Sequence, residues 1–164
     1  MNPFRVAVCL LKNKEPIISA VYNPTKNELY FAAKNEGAVK NNKKIIVSDN
    51  SDLKNSVVMF HLSSKIEPRL KTLNILEKVF EESMHMRMYG SSLAQMSYIA
   101  DGRFDAYFNI QSKPWDILPG ALLIKEAGGI VTDIDGREIN YESTSVLATN
   151  GKIHKKMLKL LKNI

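Results

Sequence analysis

Few side chains in this chain of 164 residues stand at spacings that support chemistry, and the most pointed is the pair Trp115-Asp116, set between the polar stretch Gln111-Ser112-Lys113 and a long apolar run. An aspartate directly ahead of an apolar helix has two readings. Its carboxylate can cap the helix by accepting first-turn amide hydrogens, with Pro119 inside that first turn, where a missing donor costs little. It can also serve as a hard oxygen ligand for a divalent metal, held at a strand-to-helix junction of the kind where sites of α/β sheets collect. Upstream, Gly90-Ser91-Ser92 opens another helix. Ser92 with Gln95 matches a capping box, and the amides of the same turn are donors for a phosphate or a sugar hydroxyl.

The remaining reactive types are scattered. His61, His85 and His154 share no ligand spacing: the first two fall in apolar strand patterns, the third on a helix surface, and no serine–histidine–acid pattern accompanies them. "DIDG" at 133–136 carries the opening of a calcium loop without its later ligands and reads as a turn. Cys9 is the only cysteine, which excludes a disulfide framework and a cysteine zinc site and suits a reducing cytoplasm. No apolar run has the length to cross a bilayer, and the first residues lack the layout of a signal peptide, so a soluble cytoplasmic chain is expected.

With 45% hydrophobic and 24% charged residues, the chain can bury a core as one compact unit or two small ones. The net charge of +6 comes largely from lysines concentrated in the last segment, "GKIHKKMLKLLKNI". There Ile153, Met157, Leu160, Leu161 and Ile164 share one helix face and the lysines occupy the rest, which predicts a docked helix with a solvated basic side. Basic residues and aromatics do not interleave, so no nucleic-acid partner is expected.

These residues must be positioned by two kinds of element. From Phe4 to Val47, strand-length runs rich in Val, Ile, Tyr and Phe alternate with breaks carrying Asn, Pro or Gly, the pattern of an antiparallel meander. From about residue 55 strands and helices alternate. "VVMFHL" reads as a buried strand, and "EPRLKTLNILEKVFEES" as a helix with Leu70, Leu73, Leu76, Val79 and Phe80 at helical spacing. "MHMRMYG" follows as a strand with alternating methionines, then the helix at "SSLAQMSYIADGR", stopped by Gly102, and the strand "FDAYFNI". "DILPGALLIKEAGG" reads as a helix closed by Gly128 and Gly129, before the strands "GIVTD" and "SVLATN". The expected fold class is α/β, an α+β layered sandwich in which a meander over residues 1–54 is followed by a mixed α/β layer over 55–164.

Gly90-Ser91-Ser92, "YIADGRFDAYF", Lys113-Pro114-Trp115-Asp116 and "GALLIKEAGGIVTDIDG" occur in an order that resembles the C-terminal signature of the inositol monophosphatase family. The resemblance continues upstream through the meander and covers nearly the whole chain. It implies an inositol-monophosphatase-like fold and hydrolysis of phosphate monoesters of inositol, fructose bisphosphate and related small molecules, with magnesium ions activating water. It also implies that Asp116 is a metal ligand, that Gly90, Ser91 and Ser92 contact substrate hydroxyls, and that members form dimers. Inositol-preferring members often carry glutamate at the position of Asn109; the neutral amide here donates as well as accepts, which does not support an inositol preference.

Other family ligands come from an upstream glutamate and an Asp-Pro-hydrophobic-Asp-Gly-Thr loop that has no match in this sequence, which starts Met1-Asn2-Pro3-Phe4. A single carboxylate is a poor Mg²⁺ site. The resemblance therefore leads to the expectation of a truncated or split protein, inactive alone, whose first sheet needs an N-terminal companion chain, a homodimer partner, or both. The other expectation is a non-catalytic association module of the same fold, with Asp116 kept as a cap.

Overall fold

The computed structural model describes residues 4–162. The meander forms first: β1 (Val6–Lys12), β2 (Glu15–Asn23), β3 (Glu28–Ala33), β4 (Gly37–Lys40) and β5 (Lys43–Lys44) pair antiparallel in sequence order. Two of its hairpins turn on adjacent residues with positive φ, Asn13-Lys14 and Asn41-Asn42, the backbone geometry that matches the right-handed twist of paired strands. The period of two then separates the faces. Val21, Tyr30 and Ala32 point inward and are buried, while Val6, Val8, Leu10, Ile18, Leu29 and Phe31 point outward and are exposed, Val8 by 69%.

The second sheet has the order β7-β6-β8-β10-β9, built from β6 (Val57–Phe60), β7 (His85–Arg87), β8 (Ala106–Asn109), β9 (Ile130–Thr132) and β10 (Val146–Thr149). β6 runs parallel to β7 and β8, and β10 closes the sheet antiparallel. Between the two sheets lie α2 (Ser92–Ala100) and α3 (Pro114–Glu126), whose Met96, Ile99, Ile117, Leu123 and Ile124 are fully buried. On the far face of the second sheet pack α1 (Ile66–Glu82) and α4 (His154–Lys162), through Ile75, Val79, Ile153 and Met157. The layers run sheet, helix pair, sheet, helix pair, and the outer face of the first sheet carries no layer among the described residues.

Polar ties lock the first two layers. Asp101, at the end of α2, has a side chain only 2% exposed and receives Lys40 Nζ at 2.9 Å, Arg103 at 2.8 Å and the Tyr30 hydroxyl at 2.9 Å. Glu126, at the end of α3, accepts the backbone N–H of Asn35 and of Gly37, each at 2.9 Å.

Several elements differ from the sequence-based expectation. α3 starts at Pro114, with Lys113 at its N-cap, so Pro119 lies inside the helix rather than in its first turn. α2 is capped by Ser91, whose Oγ accepts from Ala94 N at 3.4 Å, rather than by Ser92; Gln95 turns back to accept from Tyr89 N. In α1 the residues facing the sheet are Thr72, Ile75 and Val79, while Leu70, Leu73 and Phe80 are exposed. Thr72 tolerates this burial because its hydroxyl donates to Pro68 O within the helix. His154 is buried, not on the surface, because it shares a face with Met157 and Leu161. Ile164 of the expected apolar face lies outside the described residues. "DIDG" is a turn closed by the Asp133 carboxylate, which accepts from Asp135 N and Arg137 N.

Candidate active site

Parallel strands bring their carboxyl ends together, and loops leaving those ends form a crevice. Phe60 and Phe108 are register partners in β6 and β8, and just beyond them His61 N donates to Phe108 O at 3.3 Å. A cavity of about 940 Å³ opens at this edge. The starts of α1, α2 and α3 all line it, through Lys65, Ser92 and Asp116 respectively, together with Asn109 from the end of β8. Three helix starts aimed at one cavity give it a positive field suited to an anion.

Asp116 is the third residue of α3, not its cap. Its N–H bonds to Lys113 O, and its carboxylate makes no hydrogen bond or ion pair among the described residues. Burial raises its pKa above the ordinary carboxylate value, and His61 opposes that shift. His61 is itself held below the usual imidazole value by burial, against the pull of Asp116, and its Nδ1 is buried without a partner. An acid and an imidazole thus share a partly dehydrated cavity with their polar atoms uncommitted, the kind of environment in which functional groups are found.

The opposite wall is built from residues expected to touch substrate. Gly90 holds φ +74°, with open space where a Cβ would be, a conformation that favours glycine. Ser91 spends its hydroxyl on the α2 cap. Ser92 accepts from the Tyr107 hydroxyl at 2.8 Å, which leaves its own proton available. Asn109 is 3% exposed and accepts from Gln111 N at 3.0 Å. Gly90, Ser91, Ser92, Asn109 and Asp116 therefore line one cavity, although they come from three separate parts of the chain.

Sequence reasoning passed over His61, Tyr107 and Ser112. Ser112 lines the cavity, is 9% exposed, and has a buried hydroxyl with no partner. His61 had one usable signal, its place immediately after the buried run "VVMF", where a strand's carboxyl end would lie.

The fit to a magnesium ion is incomplete. Mg²⁺ gives up water reluctantly and asks for hard oxygen ligands in octahedral array. Among the described residues no three His, Cys, Asp or Glu side chains come together in such a cluster. Asp116 supplies one ligand's worth of that donor set, and the described residues alone do not make the site.

The chain is 36% identical over 160 residues to a fructose-1,6-bisphosphatase/inositol-1-monophosphatase of Aquifex aeolicus, covering 97% of this chain and 60% of that protein. It is 34% identical over 157 residues to the Nus factor SuhB of Escherichia coli K12, covering 94% of this chain and 58% of that one. The extragenic suppressor protein suhB of Bartonella henselae superposes with a TM-score of 0.93 at 28% identity, covering 98% of this chain and 62% of that structure. The chain thus spans about 60% of the length of the curated relatives it matches. The model of the inositol monophosphatase family matches residues 2–164, and with the layered fold and the cavity that Asp116 lines the chain belongs to that family.

Proposed function

We propose that this chain contributes the substrate-binding wall and one metal-ligating carboxylate, Asp116, to a magnesium-dependent phosphate-monoester hydrolase acting on inositol phosphate or on a sugar phosphate or bisphosphate. The observation that carries the reading is the Asp116 carboxylate, partly buried, raised in pKa and without a hydrogen bond among the described residues. A dehydrated anion is a cost to the fold that a bound cation removes. Across the cavity, Ser92 donates its hydroxyl proton and Asn109 its amide to ester or sugar oxygens, while the α2 amides beside Gly90 and Ser91 face the anionic group.

In this reading the other carboxylates come from polypeptide outside the described residues, in one chain or a companion, seated on the outer face of the first sheet. The apolar stripe of Val6, Val8, Leu10, Ile18, Leu29 and Phe31 supports that seat. Phe4 and Arg5, which lead into β1, also line the cavity, so a segment laid over this face has a short path to Asp116.

The test is phosphate release with millimolar Mg²⁺. The chain alone is expected to give no appreciable turnover, and the chain mixed with the N-terminal half of a family enzyme to restore it, with loss in Asp116→Asn. Turnover by the chain alone at the level of a full-length enzyme, or an active Asp116→Asn mixture, overturns the proposal. The breadth of the apolar face favours one second reading, a non-catalytic association module. That reading predicts capture of the companion half without phosphate release and an Asp116→Asn variant indistinguishable from the parent.

A further inference from the structure

A second cavity, of about 480 Å³, opens between α1, the end of β8, the turn at 133–137 and α4, and the proposed function makes no use of it. Its volume falls within the range of small-molecule sites, about 300–1,000 Å³. Ile75 and Leu161, both buried, close the bottom, and Ile110 and Ile134, both half-buried, form the walls. Four branched hydrocarbon side chains offer an occupant no hydrogen bond, so the part of it that rests on them must be apolar. Lys71 and Ile110 also line the catalytic cavity, whereas Ile134, Arg137 and Lys162 belong to this one.

The rim is charged, and its charges are unevenly spent. Arg137 pairs with Asp135 at 2.8 Å, and Lys71 with Glu67 at 3.4 Å. Lys162 meets no acid among the described residues, yet its Nζ leans over the turn, 3.8 Å from where a Cβ on Gly136 would stand. An ammonium group held above a hydrocarbon pocket selects a ligand that is anionic at one end and apolar at the other. A sugar or a bare phosphate would set polar groups against the floor without partners, and a neutral hydrocarbon would leave Lys162 unpaired. We infer that this cavity is a binding site for a medium-chain alkyl carboxylate, with its carboxylate on Lys162 and its chain on Ile110, Ile134 and Leu161. The inference goes beyond the proposed catalytic role and does not rest on it.

Titration of the full chain with octanoate, followed through the methyl NMR signals of its isoleucines, tests the site. Ile110 and Ile134 are expected to shift and saturate, while Ile18, Ile46 and Ile66, exposed elsewhere, stay put. Hexanoate, shorter by two methylenes, binds about tenfold more weakly. Octanamide keeps the chain, loses the charge and also binds more weakly. Lys162→Gln weakens octanoate binding, and Lys162→Glu weakens it further, by about fivefold against the parent. Lys65→Gln, which alters the catalytic cavity alone, leaves the affinity unchanged. Equal shifts at Ile18, Ile46 and Ile66 would mark unspecific adsorption and overturn the inference. So would an affinity indifferent to Lys162→Glu, or a loss in Lys65→Gln equal to that in Lys162→Glu. Shifts that appear only after Asn163 and Ile164 are removed would give the cavity to the chain's own end and overturn it as well.

Discussion

The phenolic hydroxyl of Tyr107 donates to the Ser92 hydroxyl at 2.8 Å. One buried tyrosine of β8 therefore orients a residue of the cavity wall that belongs to α2. Burial pushes its pKa up to about 12, so it stays a donor. Tyr107→Phe keeps the packing and removes the donor. Stability is expected to fall by about 1 kcal/mol, the usual worth of one internal hydrogen bond, read as a lower urea midpoint at constant slope. In the complemented enzyme of the proposed function, KM rises more than kcat falls.

Gly120 sits in the interior of α3, where alanine is normally the better helix former by about 1 kcal/mol. Here the neighbouring helix forbids it. A Cβ at Gly120 would stand 2.6 Å from Met96 Cβ and 2.8 Å from its Sδ. Met96 Cβ is fixed to its own backbone and cannot swing aside, so α2 and α3 must separate. Gly120→Ala is expected to destabilise by about 1–3 kcal/mol, the range for overpacked cores, and thermal unfolding reads the sign directly.

Local chemistry made much of this fold legible. Paired Asn residues such as Asn41-Asn42 announced a hairpin, and Gly128, which holds φ +92° after α3, announced a helix end. What could not be read was which face of an element meets the core. α1 presents apolar residues on both sides, and the buried side includes Thr72 because a helix carbonyl satisfies its hydroxyl. "MHMRMYG" alternates methionines as a strand should, yet pairs only over His85–Arg87, leaving Met84 and Met88 exposed. In the cavity, Asp116 and the Gly90–Ser92 turn stood out by type and neighbours, whereas His61 and Ser112 emerge only once β6 and β8 lie side by side. Asp116 read as a cap because aspartate favours that place; Pro114, at home in a first helical position, moved the helix start three residues upstream.

His154 should make stability depend on acid. Thr132 donates to Asp133 O at 2.7 Å, so its oxygen accepts from His154 Nε2–H at 3.1 Å. Thr149 accepts from Gly151 N at 3.1 Å and donates to Nδ1 at 3.0 Å. This pattern fixes the neutral ring, and burial lowers its pKa from 6.5 to about 4. The folded state therefore resists a proton that the unfolded chain accepts readily. The contribution is complete above pH 6.5 and is lost as pH falls from there through about 4. A series of denaturation midpoints from pH 7 to 4 is expected to drop more steeply for the parent than for His154→Gln; equal slopes would show that carboxylates alone carry the acid sensitivity.

Asp116 offers a prediction that separates a structural acid from a site acid without any assay of turnover. A capping aspartate replaced by a residue that cannot cap costs roughly 1 kcal/mol. Asp116 caps nothing: Lys113 holds the N-cap position, and the carboxylate accepts no hydrogen bond among the described residues. Its pKa is raised by burial, so the folded chain disfavours the ionised form. The penalty operates above the ordinary carboxylate pKa and is relieved as pH falls below it. Asp116→Ala and Asp116→Asn are therefore expected to leave the thermal midpoint at pH 7 unchanged or higher, with the difference from the parent vanishing as the medium is acidified through the carboxylate range. A midpoint lowered by both substitutions at pH 7 would return this aspartate to a structural role; a midpoint held or raised is the signature of a group kept at a cost to the fold, as functional residues are.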